Sequence, residues 1–335
     1  MRALDRKVIR DLWHLRGQVI AIGMVVAAGI AALIMSLSTL EALEETTAAY
    51  YDRYRFGDVF AFVKRAPESV EQRIAALPGV RTVQVRVSRF ATLDIEGFRE
   101  PVMGQLVSVP AGRQPVLNQL ALQSGRLPVT AAQDEVVLNV PFAEAHDLYT
   151  GDSIVAIING NRRELHIVGT ALSPEFVYAL GPGALMPDDK RFGVLWMDHD
   201  TLAAAYDLKG AFNSVSLDLD RSANTAMVLQ QLDRLLERYG SVGAIARDDQ
   251  LSNWFVMNEM EQLRTLSIIL PTIFVVVSAF LTNMVLGRLV ATERGQIGLM
   301  KAFGYSRSEV GLHYAKFVVG IVVVGSLIGI AGGSW

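Results

Sequence analysis

The sequence predicts an α+β membrane protein, in which transmembrane helices carry one large extracytoplasmic domain of mixed helices and strands. Apolar residues make up 51% of the 335 residues, and the mean hydropathy is +0.31, which is above the usual range for soluble proteins. Long uncharged stretches lie near both ends of the chain, and helical and strand-like periodicities alternate between them.

The first span is predicted at 17–40, behind a basic N-terminal segment. The stretch from Val19 to Leu40 contains no charged residue and is long enough to cross a hydrocarbon core of about 30 Å. Residues 1–16 place apolar side chains on one helical face and basic ones largely elsewhere, which predicts a cytoplasmic amphipathic helix on the membrane surface. A cleaved signal peptide is the alternative, but its apolar run is usually shorter, so we favour an uncleaved anchor.

Two further spans are predicted at 265–287 and 317–335, since both stretches are uncharged and long enough to cross a membrane. Basic residues precede the first span and fill the loop 288–316, so these two segments are expected in the cytoplasm. The intervening domain, 41–264, has acidic flanks and is expected on the other side of the membrane.

Small residues recur at every fourth position in two of the spans. They are Gly23, Ala27 and Ala31 in the first span and Gly325, Gly329 and Gly333 in the third. This spacing lets helices approach closely, so we expect these six residues at helix contacts. The alternative is that Gly and Ala are simply common in membrane helices. The spans contain no ionisable residue, which argues against a secondary transporter with an intramembrane proton or ion site.

The extracytoplasmic domain is predicted to contain two βαβ units, at 58–87 and 214–247, that form a ferredoxin-like porter layer. The helix of the first unit is predicted to start with a capping box at Ser69 and Gln72. The region between the units, from about 90 to 210, is rich in Gly, Pro and strand-like runs, which indicates an inserted β-rich subdomain. Its predicted strands include 135–139 and 153–158, and Asn159-Gly160 predicts a hairpin turn before a strand at 164–168.

Three segments connect or interrupt this domain. Helix-forming residues after the first span and before the second predict stalk helices at 41–55 and 249–264. The segment 173–189 contains Gly-Pro-Gly and a further Pro, so it is predicted to be an irregular loop of open function.

The sequence offers no catalytic, metal-binding or cofactor-binding residues. Cysteine is absent, and the five histidines are isolated and show no metal-ligand spacing. The triplet Asp198-His199-Asp200 is predicted to be a solvated loop before a helix at Thr201 rather than a catalytic site. No Gly-x-x-x-x-Gly-Lys-Ser/Thr motif occurs, so nucleotide chemistry would require another chain. The net charge of -3 gives no sign of a nucleic-acid partner.

The segment Thr292 to Val310, between the second and third spans, is the most informative part of the chain. It is charged at its start, carries apolar residues at helical spacing and is followed by Gly304, so it predicts a short amphipathic helix. It resembles a loop of the FtsX/MacB-type ABC transporter permeases, which carries a pattern like Glu-Arg-x-x-Glu-Ile-Gly-x-x-Lys/Arg-Ala-x-Gly. The matching residues are Glu293, Arg294, Ile297, Gly298, Lys301, Ala302 and Gly304. In two departures, Gln296 replaces an acidic residue, and the Glu-Arg pair stands one position nearer Ile297.

This resemblance implies a non-catalytic permease subunit without a cofactor. Residues 265–335 would be an incomplete FtsX-like permease domain, and 41–264 would be a MacB-like core domain. The loop helix would be a coupling helix seated on a separate ATPase. Its contact residues would be Glu293, Arg294, Ile297, Gly298, Leu299, Lys301, Ala302 and Gly304. Because the family's permease unit has a fourth span, the sequence is expected to be truncated before it.

The resemblance also implies partners and a location. The expected partners are an ABC ATPase subunit, a second permease unit as homodimer or tandem repeat, membrane lipids and a periplasmic adaptor. ATP-driven movement would pass to the extracytoplasmic domain in the bacterial inner membrane, for export or extraction of a lipid, lipoprotein, peptide or drug. The alternative is a membrane-anchored receptor or regulator that signals through a partner protein, since the short cytoplasmic segments leave no room for a kinase or cyclase. A membrane enzyme would need a nucleophile with a base, or a metal cluster, and the sequence contains a recognisable pattern for neither.

Overall fold

A computed structural model describes residues 10, 13, 16–129 and 134–334, and the predicted N-terminal helix at 1–16 lies largely outside them. The chain divides into two compact units. One comprises Met1–Glu45 with Glu259–Trp335, and the other comprises Thr46–Asn258. We call the first the helical unit and the second the α+β unit.

The α-helices differ greatly in length. They are α1 (Arg16–Arg53), α2 (Ser69–Ala75), α3 (Val140–Ala145), α4 (His199–Ala205), α5 (Thr225–Leu236), α6 (Leu251–Thr292), α7 (Arg294–Ala302) and α8 (Arg307–Gly333). In the described part of the chain, α1, α6 and α8 have the length and apolar composition of membrane-spanning helices. Much of the predicted loop 288–316 is helical, because α6 continues to Thr292 and α8 begins at Arg307.

The strands all lie in the α+β unit. They are β1 (Val59–Pro67), β2 (Val80–Arg86), β3 (Ser88–Asp94), β4 (Val102–Val109), β5 (Ala121–Gly125), β6 (Glu135–Asn139), β7 (Ser153–Ile158), β8 (Asn161–Leu172), β9 (Phe192–Asp198), β10 (Ala211–Leu219) and β11 (Ala244–Ala246). Helices and strands together confirm the predicted α+β class.

Four strands form an antiparallel sheet in the order β11-β1-β10-β2. With α2 between β1 and β2, and α5 between β10 and β11, this is the predicted ferredoxin-like layer. Apolar side chains of the sheet and of α5 form one core, which includes Val215, Leu217, Val228 and Leu232. The predicted capping box is wrong: Ser69 is already the first residue of α2, and Glu68 stands at the cap position without a side-chain cap bond.

Strand β10 is buried on both faces, although its alternating pattern predicts one face open to water. Its polar face is covered by side chains distant in sequence. Arg86 Nε donates a hydrogen bond to Ser214 Oγ over 3.1 Å, and Asn118 Nδ2 donates to Ser216 Oγ over 3.1 Å. These bonds satisfy hydroxyl groups that would otherwise be costly to bury.

The remaining strands, β3 to β9, form the predicted β-rich insertion between β2 and β10. Their order is β5-β8-β6-β9-β4-β3-β7, and β7 pairs again with β8, so six strands form a closed ring of pairings. Successive residues of β6 and β9 contribute to two different cores: Val136 and Leu195 to one, Val137 and Trp196 to the other. This separation follows from the alternation of side chains along a strand.

The hairpin between β7 and β8 turns at Asn159-Gly160, as predicted. Both residues have positive φ, 48° and 80°, which is the conformation that a two-residue hairpin turn of this kind requires. The bounds of β6 and β7 also agree with the predicted strands at 135–139 and 153–158.

The segment 173–189 contains only a short 3-10 turn, Pro174–Phe176, and its first residues are firmly attached to the α+β unit. Glu175 forms a buried, bidentate ion pair with Arg86, in which Nη1 donates to Oε2 over 2.6 Å. The Glu175 carbonyl accepts from Gln250 Nε2, and the backbone N–H of Tyr178 donates to Ser252 Oγ, both over 2.9 Å. The irregular segment is thus bonded to β2 and to the start of α6.

Candidate functional site

The short helix α7 carries the family-like motif, and a glycine ends it. Gly304 has φ +93°, a left-handed conformation that favours glycine, and its N–H donates to the Lys301 carbonyl over 3.1 Å. The next N–H, of Tyr305, donates to the Met300 carbonyl over 3.2 Å. This C-terminal cap matches the predicted end of the helix at Gly304.

The following helix, α8, starts with a complete capping box. Ser306 Oγ accepts from the Glu309 backbone N–H over 3.2 Å, and Glu309 Oε2 accepts from the Ser306 backbone N–H over 2.8 Å. The left-handed residue and the capping box together define the turn between α7 and α8.

The residues of α7 and its borders differ in exposure. Glu293 and Ile297 are half-buried. The exposed members of the predicted set are Arg294, Gly298, Leu299, Lys301, Ala302 and Gly304. Leu299 is 60% exposed, and the adjacent Phe303, which the predicted set omits, is 76% exposed. The apolar periodicity of the segment includes Phe303, so the sequence did contain a signal for it.

Glu293 is held by α8. The Tyr314 hydroxyl donates to Glu293 Oε2 over 2.9 Å, although the two residues are 21 positions apart. Tyr314 itself is buried. One predicted contact residue is thus bonded within the helical unit.

The small residues predicted at helix contacts lie against one another. The close pairs are Gly325 with Gly23, Gly329 with Ala27, and Gly333 with Ala31. A Cβ added at the three α8 glycines would lie 2.8, 2.6 and 2.8 Å from the carbonyl oxygens of their partners in α1. Only glycine permits this approach at these positions of α8.

Larger side chains complete the helix contacts of the helical unit. Ile22 of α1 packs with Phe317 and Ile321 of α8, and side chains of α6 lie against this cluster. At Glu44 and Arg264 an ion pair joins α1 to α6, with 2.7 Å between Oε1 and Nη2. Both side chains are about half exposed, so the pair contributes at most about 1 kcal/mol to stability.

In the α+β unit, the triplet Asp198-His199-Asp200 is not the predicted solvated loop. Asp198 is buried and caps α4, since its carboxylate accepts from the backbone N–H of Thr201 over 3.1 Å. His199 Nδ1 lies 3.0 Å from Ser108 Oγ. The sequence did not predict that this triplet is packed against the domain, because His199 contacts Ser108 of β4, which is far away in the sequence.

One carboxyl group of the α+β unit has a shifted pKa with a clear structural cause. The Arg126 guanidinium donates to Glu135 and thereby lowers the pKa of that carboxyl, to which the Val129 N–H also donates. The pair joins residues on both sides of the 130–133 segment. This ion pair gives no indication of a catalytic role. In the described ranges, no group of three His, Cys, Asp or Glu side chains could hold a metal ion.

Comparison with known proteins finds one family model that matches the C-terminal part of the chain. Residues 268–335, about a fifth of the chain, match the model of the FtsX-like permease C-terminal family. The matched segment includes α7, α8 and most of α6, and the match confirms the resemblance indicated by the motif. No curated protein matches the chain.

Solved structures show a distant likeness. The periplasmic region of MacB from Actinobacillus actinomycetemcomitans is 11% identical, with a TM-score of 0.37, over 64% of this chain and 98% of that one. The extracellular domain of the noncanonic ABC-type transporter YknZ from Gram-positive bacteria is 13% identical, with a TM-score of 0.36, over 55% of this chain and 97% of that one. Likeness at these TM-scores does not establish a shared fold.

Proposed function

We propose that this chain, whose C-terminal segment is FtsX-like, is the permease subunit of an ABC transporter and that α7 docks on a separate cytoplasmic ATPase. The observation that supports this most directly is α7 itself: a short helix with the family-like motif, fixed at both ends and exposed along most of its length. In the cell, it would face the cytoplasm and the α+β unit would lie outside the bacterial inner membrane.

The proposed docking surface consists of Leu299, Lys301 and Phe303, with the smaller exposed residues between them. Exposed apolar side chains that lie close together mark interaction sites, and a few residues supply most of the binding energy at such sites. Glu293 is less suitable as a contact, because its carboxylate is bonded to Tyr314.

Movement of the ATPase would reach the α+β unit through the helices. Both boundaries between the two units, after Glu45 and after Asn258, fall inside helices, α1 and α6. Such continuous helices are suited to carry a displacement, and the work would serve export or extraction of a lipid, lipoprotein, peptide or drug. A second permease unit and a periplasmic adaptor would complete the assembly.

Docking is tested by co-expressing the chain with the ABC ATPase encoded nearest to its gene. We expect Leu299→Asp and Lys301→Glu each to lower recovery of the ATPase about 5- to 30-fold, since interface residues of this kind contribute roughly 1–2 kcal/mol. The matched controls are Leu185→Asp and Lys209→Glu, which make the same changes at exposed positions of the α+β unit and should leave recovery unchanged. Equal recovery with all four variants would contradict the proposal.

A further inference from the structure

The helix α7 has few contacts that could fix its orientation. None of its residues is buried, and only Ile297 and Met300 are half-buried. The turn at Gly304 fixes its C-terminal end. At its N-terminal end, the backbone continues from α6 through Glu293, whose N–H donates to the Leu289 carbonyl over 2.9 Å. The side chain of Glu293 is bonded to a buried residue of α8, Tyr314.

The bond between these residues is well suited to hold the helix. A phenol that donates to a carboxylate forms a charge-assisted hydrogen bond, which is stronger than a bond between neutral groups. The distance of 2.9 Å lies in the normal range, and Tyr314 is buried, so water competes poorly for the bond. Because the bond and the Gly304 turn hold opposite ends of α7, together they define its direction relative to α8.

We propose that Glu293 and Tyr314 are a positioning pair that sets the orientation of α7 for its partner, and that Glu293 does not itself contact the ATPase. The inference rests on the proposed function of α7 as the docking helix. Force applied to α7 then reaches α8 at two points, through this bond and through the turn at Gly304. Without the bond, α7 stays helical and keeps its docking side chains, but its direction relative to α8 varies more, because only its backbone connections to α6 and α8 then hold it.

The absence of cysteine in the sequence permits a direct test, because labels can be introduced at chosen positions only. Spin labels are attached to Leu299→Cys on α7 and Leu327→Cys on α8, both exposed, in the full chain in lipid nanodiscs, diluted with unlabelled chain. Pulsed electron spin resonance then gives the distance distribution between them. We expect Tyr314→Phe and Glu293→Ala each to widen this distribution at least twofold.

Three further variants separate positioning from a general loss of structure. Glu293→Gln keeps an oxygen that accepts from Tyr314, so it should retain the narrow distribution. The double variant Tyr314→Phe, Glu293→Ala should be no wider than either single variant, since both remove one bond. Tyr305→Phe removes a hydroxyl from an exposed neighbouring tyrosine and should change nothing.

Unchanged width in Tyr314→Phe and Glu293→Ala, or additive widening in the double variant, would overturn the proposal. The measurement needs no ATPase, so its result does not depend on whether docking occurs. If α7 does not dock on an ATPase, the recovery experiment fails while the distance distributions still respond. If the pair does not position α7, the distributions stay narrow while Leu299→Asp still lowers recovery.

Discussion

Arg86 and Glu175 are the most deeply buried ion pair among the described residues, with 7% and 4% of their side chains exposed. Their burial is tolerable because the guanidinium donates to both carboxylate oxygens and also to Ser214. A charge left alone at this depth would keep the cost of its lost hydration without compensation. The pair therefore fixes the irregular segment after β8 to strand β2, so the position of the segment depends on Arg86.

Glu175→Ala should destabilise the α+β unit by about 3–5 kcal/mol, because it leaves Arg86 buried and uncompensated. The matched control is Glu100→Ala, which removes an ion pair with Arg191 that is more than half exposed and should cost less than about 1 kcal/mol. Unfolding of the full chain in detergent can be followed by the fluorescence of buried Trp196, with the other three tryptophans replaced by Phe. Equal effects of the two substitutions would contradict this account.

At the residue scale, the sequence predicted those features whose cause is local. Asn159-Gly160 could be assigned to a turn because both residues tolerate positive φ, and Gly304 to a helix end for the same reason. The partners of Glu293 and Glu175 could not be assigned, because Tyr314 and Arg86 lie 21 and 89 positions away. The residues next to Glu293 and Glu175 in the sequence contain no pattern that indicates such distant partners.

At the scale of elements, the contact between α1 and α8 depends on glycine. No side chain fits at Gly329, where an added Cβ would lie 2.6 Å from the Ala27 carbonyl oxygen and 2.9 Å from Ile30 Cβ. Dispersion contacts between helix backbones, rather than a hydrophobic driving force, stabilise such pairs in lipid. The contact between α1 and α8 is therefore sensitive to the volume of the side chain at position 329.

Gly329→Leu should force α1 and α8 apart and destabilise the helical unit by roughly 1–3 kcal/mol, the usual cost of overpacking. The control is Gly332→Leu on the same helix, where an added Cβ meets nothing within 4 Å. The midpoint of unfolding in mixtures of detergent and SDS measures both. A midpoint for Gly329→Leu that equals that of Gly332→Leu would show that the close approach is unimportant.

Elements were predictable where their periodicity or hydropathy was strong. Uncharged runs identified the three long helices, and short strand-like runs identified β6 and β7, because both signals are contained in one short stretch. The double-sided burial of β10 was not predictable, since Asn118 and Arg86 come from other parts of the chain. The length of β8 was underestimated, because its pairing with three different strands is a property of the sheet.

At the scale of the whole molecule, the proposed orientation puts α7 and the α+β unit on opposite sides of the membrane. The physical reason is the concentration of Arg and Lys in the segments 1–16 and 288–316, since basic segments are retained in the cytoplasm. Acidic residues flank the α+β unit instead.

A membrane-impermeant maleimide tests this orientation in cells that express single-cysteine variants. We expect Leu185→Cys, 90% exposed in the α+β unit, to react in spheroplasts with an intact inner membrane. Leu299→Cys on α7 should react only after the membrane is permeabilised. The parent chain has no cysteine and serves as the unlabelled control. Labelling of Leu299→Cys in intact spheroplasts would contradict the orientation.

The strands β3 to β9 leave and rejoin the ferredoxin-like layer at one place. Arg86, at the end of β2, is paired with Ser214 of β10, and the Asn213 side chain bonds both backbone groups of Ser88, over 2.8 and 2.7 Å. Because the two crossing points are neighbours, the chain between them can change in length or content while the four-stranded order is preserved. Replacing this region as a whole would leave Arg86 and Ser216 without the partners that Glu175 and Asn118 supply, so variation is confined to the parts that do not cover the four-stranded sheet.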